Sequence, residues 1–166
     1  MLYLQLEQQP VPASRPRVTQ WGVYYGKNYT KYRKGSGMTV ERAVAQAQAG
    51  GFLPIDSTLI MAQLFEGEKP RTTKLEYPNP DLDNFIKALW DALQKHKVIL
   101  DDKKVIASIE MKRWTTTQPQ TLVLLQTVTS QDMSHALNAL ARTLLHDMMM
   151  GMGTALAVDI TSKKLA

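Results

Sequence analysis

Leu2, Leu4 and Leu6 alternate with Tyr3, Gln5 and Glu7, and a period of two marks a strand with one buried face. Prolines at 10, 12 and 16 end that run, because proline brings no N–H to a sheet ladder. Residues 15–37 are rich in Gly, Lys, Arg and Tyr and show little helical periodicity, which predicts a basic aromatic loop or ribbon. Helical spacing then appears at Val40, Ala43, Val44 and Ala47, with Thr39 as a candidate cap and Gly50-Gly51 as a stop, so a helix is predicted over 39–49.

Residues 55–66 mix β-branched and apolar side chains and read as a central strand, and the proline-bearing stretch 67–80 as a loop. A second helix is predicted to open with Pro80 at its first position, on a stripe of Leu82, Phe85, Ile86, Leu89 and Leu93. Alternation over 105–112 and a nearly continuous apolar run over 121–128 predict two strands, expected to pair antiparallel across a turn near 115–119. Met133, Leu137, Leu140, Leu144 and Met148 mark a last amphipathic helix ending near 151–153. The order β, loop, α, β, α, β, β, α implies an α+β domain with a mixed sheet and helices packed against it.

A chain of 166 residues is most simply one domain. With no cysteine, thiol catalysis, thiolate metal sites and disulfides are excluded. No cationic leader with a long apolar run opens the sequence, and no stretch approaches a membrane span, so a soluble, untargeted cytoplasmic protein is expected. The net charge is +5, and its location is more telling than its size. Residues 1–37 hold Arg15, Arg17, Lys27, Lys31, Arg33 and Lys34 against one acid, Glu7, a local excess that favours a polyanion such as DNA. Tyr24, Tyr25, Tyr29 and Tyr32 are candidates for stacking on unpaired bases, with ordinary packing as the alternative.

Within this basic chain, carboxylates concentrate at Asp81, Asp83 and the doublet Asp101-Asp102. Acids sharing one site repel one another unless a cation neutralises them. Without a His or Cys cluster, oxygen donors favour Mg²⁺, with Mn²⁺ as a substitute. The two groups flank the second helix and converge if the following strand runs back along it. Lys87, four residues after Asp83, shares its helical face and can neutralise charge on a phosphoryl oxygen. Asn84 can position ligands or cap the helix. Asp91, four residues after Lys87, reads as a salt-bridge partner rather than a ligand. Against this stands a plainer reading, in which the acids are helix caps, surface pairs and a turn. His96, His135 and His146 are scattered and receive no metal role.

The run Asp81-Leu82-Asp83-Asn84-Phe85-Ile86-Lys87-Ala88, followed by Asp91-Ala92-Leu93 and Asp101-Asp102 with Val105 and Lys112, resembles the signature of the RusA family of Holliday-junction resolvases. The resemblance implies a Mg²⁺-dependent homodimer, often phage- or prophage-encoded in a bacterial host, that binds four-way DNA junctions. It further implies paired symmetric nicks that leave 5′-phosphates and 3′-hydroxyls. Asp81, Asp83 and Asp102 would be metal-binding catalytic carboxylates, Lys87 the catalytic lysine, and Asp101 an accompanying acidic position. By the same resemblance residues 1–130 form the nuclease domain, with the basic segment at about 10–37, and 131–166 a helix and tail packed on it or extending it. That last helix is a candidate dimer element, or it packs on its own sheet. Competing functions are a catalytically silent junction or duplex binder and a Mg²⁺-dependent phosphohydrolase of small molecules.

Overall fold

The computed structural model describes residues 1–49, 54–129 and 131–149. The glycine stop expected at 50–51, the helix end expected at 151–153 and the tail lie outside the described residues. The core is one mixed sheet built from β1 (Leu2–Leu6), β4 (Leu59–Glu68), β5 (Val105–Thr115) and β6 (Gln120–Thr127). They lie in the order β1-β6-β4-β5, with β4 and β5 parallel and the other pairs antiparallel. The α+β class with a mixed sheet is as expected, but β5 and β6 are not neighbours. Strand β4 lies between them, because it is apolar on both faces: Met61 and Phe65 enter one core, Ile60 and Leu64 the other. A strand buried on both sides belongs in the sheet's interior.

Parallel strands need a crossover, and α2 (Leu82–Lys95) supplies it. Phe85, Leu89 and Leu93 of its predicted stripe are buried, with Leu82 and Ile86 packed at the margin. Proline 80 is not the first helical residue: Asp81 takes the N-cap position and the helix starts at Leu82. The helix ends in a Schellman turn, in which Val98 N–H bonds Leu93 O at 2.9 Å and Lys97 N–H bonds Gln94 O at 3.0 Å. Lys97 stands at φ 56°, the left-handed position that glycine usually fills. On the opposite face of the sheet, α3 (Met133–Met149) buries Ala136, Leu140 and Leu144 against β4 and β6.

The larger departure from expectation lies at residues 15–37. Only its first part is a ribbon, the hairpin of β2 (Arg17–Thr19) and β3 (Gly22–Tyr24), while α1 (Lys27–Ala49) begins twelve residues before Thr39. Gly35 and Gly37 weaken local helix preference, yet Tyr29, Tyr32, Val40 and Val44 form a buried stripe whose packing outweighs it. Tyr29 and Tyr32 pack on Ala88 of α2 with Val11 and Ala13 beside them. These two tyrosines are therefore interior residues, not platforms for bases.

A polar ladder crosses the α3 side of the sheet at one end. Arg113 Nε donates to Glu66 Oε1 at 2.7 Å, Gln120 Nε2 donates to Glu66 Oε2 at 2.6 Å, and Gln5 Nε2 donates to Gln120 Oε1 at 2.6 Å. Each strand of the main sheet contributes one member. Glu66 is 4% exposed, and these partners give each of its carboxylate oxygens a donor.

Replacing Glu66 by Ala leaves a guanidinium and an amide without their acceptor and is expected to cost about 3 kcal/mol, read from urea unfolding. A second expectation concerns alkaline pH. The Tyr29 phenol is pushed up to about 12 by burial and by the Asp91 carboxylate that accepts its hydrogen bond, and Tyr32 is raised by burial. Folded chains hold these protons above the ordinary tyrosine value of about 10, so the associated stability is complete below that pH and is lost as pH rises through about 12. Unfolding free energies measured across that range should decline, with a shallower decline in Tyr29→Phe.

Candidate active site

The start of α2 gathers the first group of candidate residues. Asp81 at the N-cap makes no side-chain capping bond, so the cap reading does not account for its carboxylate. Asp83 stands in the first helical turn and Lys87 one turn later, and all three side chains are exposed. No ion pair or side-chain hydrogen bond engages Asp81, Asp83 or Lys87 among the described residues. Lys112 of β5 fixes this end of the helix, its Nζ donating to Pro80 O at 2.6 Å while standing 5.5 Å from the Tyr77 ring centre.

The N-terminal segment is laid against the same helical turn. Ala13 N–H bonds Asn84 O at 2.7 Å, and Ser14 Oγ accepts from Gly26 N–H at 3.0 Å. This closes a cleft whose walls include Arg15, Tyr25, Tyr29, Asn84, Lys87 and Asp91. A cation from the basic segment thereby shares a cavity with the candidate catalytic lysine, although 72 positions separate them in sequence. Asp91 does not pair with Lys87: its Oδ2 accepts from Tyr29 OH at 3.0 Å. The buried phenol presents a fixed donor and takes the carboxylate that a flexible lysine was expected to hold.

The doublet Asp101-Asp102 lies elsewhere. Asp101 Oδ1 accepts from Lys103 N–H at 3.0 Å, capping a short 3-10 turn over Asp102–Lys104, and Lys104 is tied to Asp56. Strand β5 does run back along α2, but a strand that runs back brings its far end to the helix start. It therefore delivers Lys112, not Asp102, to the neighbourhood of Asp81. Asp101 and Asp102 stay beside the helix C-terminus, about 20 Å away by helical rise. Within one chain the two acidic groups do not meet, and no set of three or more His, Asp or Glu able to hold a metal occurs among the described residues.

Of the six cations singled out in the sequence, Lys27 and Lys31 with Lys34 line a shallow groove beside Tyr25, spaced along one face of α1. Arg17 stands on the hairpin and is exposed. Arg33 is exposed, and its guanidinium lies 5.2 Å from the Tyr25 ring and 5.8 Å from the Tyr29 ring. Sequence reasoning passed over Ser14, which joins the two roots of the hairpin, and Trp21 at its tip. A lone tryptophan between polar Gln20 and Gly22 was the available signal for the latter.

A protein-family model described as Endodeoxyribonuclease RusA matches residues 7–126. Comparison with curated proteins gives no match. The matched span takes in the N-terminal segment, the basic hairpin, all of α2 and both acidic groups, and stops before α3. Covering well over half of the chain, it establishes that the protein belongs to the RusA family of endodeoxyribonucleases, the Holliday-junction resolvases.

Proposed function

We propose that the chain acts as a Mg²⁺-dependent homodimer that resolves four-way DNA junctions by paired symmetric nicks, with Asp81, Asp83, Asp102 and Lys87 as its active-site residues. The observation that carries this reading is that Asp81 and Asp83, exposed and without an ion pair among the described residues, share one end of α2 with Lys87, in a chain of the RusA family. The donors suit the ion. Two hard carboxylate oxygens, left free by the absence of a side-chain cap, match a cation that uses one or two carboxylates and completes its shell with waters and phosphate oxygens. When bound, it would supply Lewis acidity to an attacking water and to the scissile phosphate.

The separation of the two acidic groups supports a site completed between subunits. A two-fold axis beside the free edge of β5 would set the start of one α2 against the end of its partner, so Asp102 of each subunit approaches Asp81 and Asp83 of the other. Two such sites, related by symmetry, suit a substrate with two matching strands to cut. The amine of Lys87 donates to a non-bridging phosphoryl oxygen as charge accumulates there, and Arg15 across the cleft holds the neighbouring backbone. Arg17, Lys27, Lys31 and Lys34 neutralise phosphates further along the arm, where Arg33 braces the tyrosines behind them.

The decisive assay incubates the protein with a synthetic four-way junction and a matched linear duplex, with and without Mg²⁺. Symmetric incision of the junction alone, only with Mg²⁺, is the expected result, and equal cutting of both substrates refutes it. Asp83→Asn should lose nicking with junction affinity undiminished, and Lys87→Met should slow it by about 10²–10³-fold. Mixing subunits tests the shared site. A heterodimer of Asp83→Asn with Asp102→Asn retains one intact site if the acids come from different chains and regains single-strand nicking, whereas sites confined to one chain stay dead. Binding should weaken with salt, and Lys31→Ala should lower the slope of log K against log salt by about 0.9.

A further inference from the structure

The β2–β3 hairpin carries large apolar side chains that no other element covers among the described residues. All six strand residues are exposed, and the pair forms a sheet of its own, not hydrogen-bonded to the main one. Trp21 in the turn is 88% exposed, and Val18 and Val23, paired across the ribbon, are 77% and 62% exposed. A two-stranded ribbon without a buried face is marginal in water, and these residues contribute little to the core.

The tip is nevertheless well defined. Thr19 Oγ1 donates to Gly22 O at 3.1 Å and accepts from Trp21 N–H at 3.3 Å. Gly22 turns the chain at φ +126°, where side chains are rarely accommodated. At the root, the Ser14–Gly26 bond ties both ends to the cleft that holds Lys87. Three residues of strand reach about 10 Å, so the ribbon is some three base-pair spacings long. The arm itself is cationic: residues 8–40 contain six Lys and Arg and no Asp or Glu. An aromatic face on an arm that carries only positive charge fits a nucleobase between phosphates better than an apolar protein surface.

We propose that this hairpin is a base-stacking finger, with Trp21 packing on a base whose stack is interrupted at the branch point while Arg15 and Arg17 hold the adjoining phosphates. The location at a junction rests on the resolvase reading; the stacking itself does not. Affinities are therefore measured without divalent ion, so that no strand is cut, for a four-way junction, a matched duplex and a single strand carrying 2-aminopurine. The proteins compared are wild type, Trp21→Ala and Trp21→Phe.

Trp21→Ala should bind the junction about tenfold more weakly, leave the duplex unchanged because a closed stack offers no free base face, and fail to quench the 2-aminopurine. Trp21→Phe should restore most of both effects. Equal junction affinity and equal quenching in Trp21→Ala overturn the finger, as does an identical loss on junction and duplex. Nicking by the wild type with Mg²⁺ separates the two ideas. If it cuts junctions and Trp21 proves immaterial, only the finger falls; if it never cuts while Trp21 still governs quenching, the resolvase reading falls and the finger stands.

Discussion

Parallel pairing of β4 with β5 is the constraint from which the rest of the molecule follows. Two parallel neighbours cannot be joined by a turn, so the chain must travel back the full length of the strands, and a helix with one apolar stripe does this while covering the sheet. Once α2 lies antiparallel to both strands, the place of every acid is set. The residues that enter the helix share an end of the sheet with the ends of β4 and β5. Those that leave it share the opposite end with the start of β5.

The same geometry explains how a basic segment from the start of the chain reaches the helix. Residues 11–13 run along the first turns of α2, where Ala13 bonds Asn84 O and Val11 packs on the Tyr29, Tyr32 and Ala88 group. Helix α1 then returns with its two tyrosines locked against α2, one of them holding Asp91. The aromatic residues of this segment thus split by burial. Two of them knit the helices together, while Tyr24 and Tyr25 remain accessible beside the cations.

Much of this was legible from the chain. The alternation at Leu2–Leu6, the stripe of α2 and the stripe of α3 each report a periodicity imposed by one buried face, and each element appears where its pattern lies. What misled was local. Gly35 and Gly37 concealed a long helix because propensity is read over short windows, whereas Tyr29 and Val44 belong to one stripe only when counted over four turns. The short connection between β5 and β6 looked like a hairpin, yet the doubly apolar character of β4 was the stronger signal, since a strand with two buried faces needs a neighbour on each side. The acids stand out individually in the sequence, but the direction of β5 alone does not bring them together, because it decides which end of the strand arrives. Direction brings Lys112; only the origin of the strand carries Asp102.

The polar ladder from Arg113 through Glu66 and Gln120 to Gln5 joins residues drawn from four strands and from positions as far apart in sequence as 5 and 120. Its members cannot drift independently. Glu66 and Gln120 are buried, so losing a partner leaves them unsatisfied, whereas a concerted exchange for well-packed apolar groups can be neutral. Over evolutionary time the four sites should behave as a single inherited character, and covariation between position 5 and position 113 would then report a contact that the two residues never make.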